Sequence, residues 1–169
     1  MKLCARVTSV AFALCIATSF LFAQSEKPAV LTADQLKQAV PSAYFFRGQS
    51  ATVQVRNSGG LRVGKDSLVL AALVDTSGYA VDVQQKYQGL FITEVKLNIG
   101  GSTLSPGEYG FGFNADGKFR VLDVASNELL ATDIKSDDNL KRPVPLKLVE
   151  EGGEYRLYGG RKYVVIKVE

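Results

Sequence analysis

The residue types that most often carry chemistry are scarce in this chain. It contains no histidine, and its two cysteines, Cys4 and Cys15, both lie near its start in a segment that reads as a secretory leader. Removal of that leader leaves neither thiol nor imidazole, the commonest nucleophile, general base and soft metal ligands. The run Gly59-Gly60-Leu61-Arg62-Val63-Gly64-Lys65 has the glycine and lysine spacing of a phosphate-binding loop. Asp66 then stands where a Ser or Thr would hold magnesium, and its charge opposes a phosphate, so the run is read as a turn between strands.

Carboxylates are plentiful but scattered: Asp75, Asp82, Glu94, Glu108, Asp116, Asp123 and Asp133 share no spacing that would bring a pair onto one bond. Asp137-Asp138-Asn139 lacks the alternating oxygens and central glycine of a calcium loop. Neither a catalytic residue, nor a metal ligand, nor a cofactor is assigned. Aromatic residues are the best candidates for contact. Phe91, Tyr109, Phe111 and Phe113 are the candidate ligand-binding residues, since Gly110 and Gly112 between the last three clear one side-chain face for a ring, a backbone or a ligand. Tyr44-Phe45-Phe46-Arg47 is the candidate interaction surface. Three consecutive rings cannot all point inward from an extended strand.

The elements that must position these residues begin with the leader. Lys2 and Arg6 precede an apolar run from Val7 to Ala23, followed by polar Gln24-Ser25-Glu26-Lys27. This is signal-peptide anatomy with cleavage after Ala23, and the apolar run is short of the roughly 20 residues that span a bilayer. Leu14 before Cys15 argues against a lipoprotein leader. The organisation expected is a signal peptide over 1–23, a loosely ordered linker over 24–31 and one domain over 32–169. Without residues 1–23, 18 basic residues face 17 acidic ones, so no basic surface remains to recruit nucleic acid. No stable membrane anchor is expected after cleavage, and the expected location is periplasmic or secreted.

Thr32 and Gln35 have capping-box spacing, with Leu31 and Leu36 at the hydrophobic-staple positions and Pro41 ending the helix. From Tyr44 onward the pattern has period two. Val53 and Val55 lead to a turn at Asn57-Ser58-Gly59-Gly60, Phe91 to Ile99 alternates as one strand, and Tyr109 to Leu122 reads as a hairpin around Asn114-Ala115-Asp116-Gly117. Ser67 to Val74 is apolar on both faces and predicts a strand covered on both sides. The fold expected is all-β: a small antiparallel barrel with one short N-terminal helix, a β-sandwich being the alternative.

Leu104-Ser105-Pro106-Gly107-Glu108-Tyr109-Gly110-Phe111 resembles the Leu-x-Pro-Gly-x-Tyr segment of many secreted β domains. With Phe45 to Ser50, Leu73 to Tyr79 and Tyr155 to Arg161, the chain resembles a family of uncharacterised exported bacterial proteins of the acidobacterial type. The resemblance implies an exported bacterial protein and brings no activity or catalytic residue. The residues themselves point to a non-enzymatic binding module for a small apolar or amphipathic ligand. The alternative is a structural or protein-interaction domain of the cell envelope, with an envelope protein as partner.

Overall fold

The computed structural model describes residues 27–169, so the expected leader and its cleavage point lie outside the described residues. The chain enters through a two-residue strand, β1 (Ala29–Val30), and a helix, α1 (Ala33–Ala39). The Gln35 amide donates to the Thr32 hydroxyl at 3.4 Å and the Thr32 amide donates to Gln35 Oε1 at 2.8 Å, closing the expected capping box. Leu31 and Leu36 are buried, and the helix gives way to extended backbone at Val40, before Pro41. Ala29 and Val30 pair with Arg62 and Leu61, and the Tyr155 hydroxyl donates to the Pro28 carbonyl. The end of the expected linker is therefore tied into the sheet. Two residues are too few to show an alternation, which is why the sequence did not mark them.

A hairpin follows: β2 (Ala43–Phe46) and β3 (Gln49–Val63) are joined by Arg47 and Gly48, both at positive φ, as a two-residue hairpin turn requires. Then come β4 (Ser67–Val74), a short helix α2 (Val81–Gln84) and β5 (Gly89–Thr93). After β6 (Leu97–Ile99) and β7 (Ser102–Leu104), β8 (Gly107–Phe113) and β9 (Lys118–Leu122) form the hairpin expected around Asn114 to Gly117. The remaining strands are β10 (Glu128–Asp133), β11 (Lys135–Ser136), β12 (Val144–Glu151), β13 (Glu154–Gly160) and β14 (Lys162–Val168).

These strands build two antiparallel sheets. The larger runs β1-β3-β4-β5-β8-β9-β10 with β2 also on β3, and the smaller runs β12-β13-β14-β6-β7 with β11 on β14. Neither sheet closes on itself. The all-β antiparallel class and the N-terminal helix hold, and the preferred barrel gives way to the sandwich alternative. The reason lies between β5 and β6. Phe91 to Ile99 alternates without a break, yet the chain leaves one sheet and enters the other at Glu94-Val95-Lys96, where the Thr93 hydroxyl donates to the Val95 carbonyl at 2.6 Å and Glu94 accepts from the Leu68 amide at 2.7 Å.

The expected turn at Asn57 to Gly60 is instead part of β3. Gln54 pairs with Leu73 and Ser58 with Ala72, so Val55, Arg56 and Asn57 bulge out unmatched. The glycines there serve close approach: a Cβ on Gly59 would stand 2.4 Å from the Leu148 backbone nitrogen of β12.

Two apolar clusters flank the larger sheet. Leu61, Val69, Phe91, Phe111, Leu157 and Ile166 belong to the one between the sheets. Leu36, Phe46, Leu70, Ala72, Tyr87 and Leu90 belong to the other, on the outer face beneath α1, α2 and β2. Strand β4 feeds both, Val69 and Ala71 into the first and Leu70, Ala72 and Val74 into the second, which explains a run apolar on both faces.

Candidate functional site

Three of the four candidate ligand-binding rings are packed against one another. Phe91 and Phe111 have no exposed surface and meet edge to face at 6.4 Å, and Phe119 lies 5.7 Å from Phe111 and 5.0 Å from Phe113. Each such ring contributes about 1.5–3 kcal/mol by burial. Tyr109 is half-buried, and its hydroxyl donates to the Ser105 carbonyl at 2.9 Å. The face cleared by the two glycines is occupied by the chain itself: a Cβ on Gly110 would meet the Phe46 and Tyr87 rings, and one on Gly112 would stand 2.2 Å from the Lys86 carbonyl oxygen. Phe113, 8 % exposed at the end of β8, borders an opening.

The run Tyr44 to Arg47 is divided by the strand's alternation. Tyr44 and Phe46 point into the outer core, whereas Phe45 is 60 % exposed. The Arg47 amide donates to the Val124 carbonyl at 2.8 Å and its guanidinium lies 3.7 Å from Asp82. This places exposed Phe45, Val81 and Val124 around one ion pair.

At the end of the sandwich where Phe113 emerges, two adjoining clefts of about 490 and 670 Å³ share Gln88, Phe113 and Lys162. The first cleft mixes Leu73 and Pro145 with Gln54 and Thr76, and the second sets Gln85, Lys86, Asn114 and Arg120 around a mainly apolar surface. Gln88 fixes Phe113 from both sides, its amide donating to the Phe113 carbonyl at 3.1 Å and its oxygen accepting the Phe113 amide at 2.9 Å. Asn114 is 5 % exposed; its amide donates to the Gln85 carbonyl and its Oδ1 has no partner.

Charge at this mouth is divided unequally. Arg120 reaches Glu128 at 2.6 Å and grips both oxygens of Asp116 at 2.9 and 2.6 Å, and the Asp116 bonds foremost hold that carboxyl down at about 2. Lys86 and Lys162 carry no ion pair among the described residues. The mouth therefore presents free ammonium groups, amides and an apolar wall, which suits an amphipathic molecule with an anionic or hydrogen-bonding head.

Of these residues, sequence reasoning named Phe113 alone for contact. Gln88, Lys162 and Asn114 were missed, although Gln84-Gln85-Lys86-Tyr87-Gln88 concentrates three amides between two apolar strands. That density was the available signal. Other carboxylates cap turns: Asp75 accepts from the Ser77 amide, Asp137 from the Asn139 amide, and Asp123 from Asn127 and the Ala125 amide. The Asn127 bonds foremost keep Asp123 below the usual carboxylate range.

Comparison with known proteins finds no matching family model, no matching curated protein and no matching solved structure.

Proposed function

We propose that the chain is an exported bacterial binding module, periplasmic or secreted and not an enzyme, which holds a small amphipathic ligand at the mouth between its two sheets. The leader anatomy of residues 1–23 and the resemblance to exported acidobacterial-type proteins support the export. The observation that carries the binding reading is the meeting of two clefts at Phe113, Gln88 and Lys162. The apolar part of the ligand lies against Leu73, Pro145 and Phe113, and its head is held by Lys162 and the neighbouring amides. In this reading Phe111 and Phe119, which pack on Phe113, are the base that holds it in place, with Phe91 behind Phe111.

Native mass spectrometry of protein recovered from its own host tests this. A bound mass present on the wild type and lost from Lys162→Glu and Leu73→Trp is the expected result. An unliganded wild type, or a mass indifferent to both substitutions, removes the mouth from consideration.

A second reading is favoured by Phe45. A ring 60 % exposed, on the hairpin whose Arg47 reaches Asp82 and the Val124 carbonyl, is the start of an apolar contact patch for an envelope protein. A photo-crosslinker placed at position 45 should then trap a single envelope protein, and Phe45→Glu should abolish its recovery by affinity capture.

A further inference from the structure

Away from the mouth, a smaller cleft of about 280 Å³ opens between α1 and β3. It exists because of the bulge: Val55, Arg56 and Asn57 have no partners on β4, so this part of β3 departs from the sheet next to the helix. Ala33, Leu36 and Val55 line it with methyl groups, Ser58 closes it, and Lys37 and Arg56 border it. The Ser58 hydroxyl is already committed, donating to the Val55 carbonyl at 2.6 Å across the bulge, so it places no unmet polar demand on an apolar guest.

The charges beside this apolar cleft are of one sign in excess. Lys37 is paired with Asp34 at 3.0 Å, both well exposed, whereas Arg56 has no ion pair among the described residues. A guanidinium without a carboxylate offers two parallel donors to one. At about 30 Å³ per water-sized group, the cleft holds roughly nine heavy atoms. That is one short alkyl chain, and it is too small for the two chains of a bilayer lipid.

We infer that the α1–β3 cleft binds a free medium-chain carboxylate, its chain against Ala33, Leu36 and Val55 and its carboxylate on Arg56. This site is separate from the mouth and does not rest on the function proposed for it. The probe is decanoate, added to purified protein up to about 5 mM, the regime a dozen heavy atoms can reach, with backbone amide NMR shifts as readout.

Saturable shifts confined to α1 and to residues 54–58 are expected. Arg56→Glu weakens binding at least tenfold, Arg56→Lys keeps most of it, and decanol binds more weakly and without regard to position 56. Ala33→Phe, an exposed site, fills the cleft and removes the shifts while leaving the thermal midpoint unchanged. Shifts that saturate at Gln88 and Lys162 instead would favour the mouth and overturn this site. So would the absence of saturable shifts, or binding unaltered by Arg56→Glu and Ala33→Phe.

Discussion

The ring of Phe46 lies flat on that of Tyr87, centroids 3.9 Å apart and planes 13° from parallel, directly over Gly110. Tyr79 closes the group edge-on, 5.3 Å from Tyr87, and its hydroxyl donates to the carbonyls of Phe46 at 3.1 Å and Gln49 at 3.2 Å. The stack fastens the β2–β3 hairpin to the segment after α2, and that segment supplies Gln85 and Gln88 to the mouth. Packing on the outer face of the larger sheet thus reaches the candidate site.

A methyl group at Gly110 would stand 2.6 Å from the Phe46 ring, inside van der Waals contact. Gly110→Ala is expected to force the stack off β8 and to cost about 1–3 kcal/mol, as overpacking of a filled core does. Gly112→Ala should cost more, because its obstacle at 2.2 Å is the Lys86 backbone rather than a side chain that can turn. Gly78→Ala, with nothing within 4 Å, is the control and should be neutral. Urea midpoints of the three variants check the order.

Where a side-chain pattern and a local backbone need agreed, the sequence was readable. Thr32 and Gln35 announced α1 through mutual hydrogen bonding, and Asn114 to Gly117 announced the β8–β9 turn. Gly110 and Gly112 announced a close approach, though not that Phe46, Tyr87 and Lys86 would make it. Gly59 and Gly60 were misread because the same residue serves both turns and crowded strands. The sheet switch at Glu94 was hidden because β5 and β6 keep the same alternation across it. The choice of sandwich over barrel depends on which edges pair, a long-range relation no local pattern carries. The mouth was invisible for the same reason, since Gln88, Asn114 and Lys162 meet only after three separate segments fold together.

Two tyrosines of the outer core should respond oppositely to loss of their hydroxyl. The Tyr44 hydroxyl is buried without a partner, and burial pushes its ionisation far above the ordinary phenol range. Tyr44→Phe removes an unsatisfied group and should be neutral or stabilising by up to about 1 kcal/mol. Tyr79→Phe instead removes the donor to two carbonyls and should destabilise by about 1 kcal/mol. Paired urea titrations of the two variants read both signs in one experiment.

Thr32→Ala opens the capping box and leaves the Gln35 amide without its acceptor. A loss of about 0.5–1 kcal/mol is expected. Because α1 carries Ala33, Leu36 and Lys37 to the cleft on β3, the same substitution should also speed amide hydrogen exchange in residues 33–39 relative to the β8–β9 hairpin. Uniform exchange across both regions would mean that the helix does not open independently of the sheets.

Acid should act first on the hairpin that bears Asp116. The hydrogen bonds from Arg120 lower its carboxyl to about 2, below the roughly 3.9 of an unfolded aspartate. A depressed folded value means the interaction contributes fully above pH 4, is lost as pH falls through that window, and is gone below about pH 2. Asp116 is exposed, so the effect is modest and shrinks with added salt. Asp123 and Asp75 are shifted in the same direction and keep part of the acid dependence. Asp116→Asn should therefore lower the urea midpoint at pH 7, flatten but not abolish its fall between pH 4 and 2, and converge on the wild type at the acid end. Parallel curves for the two proteins across that window would mean that the Arg120 pairing has no part in the acid limb.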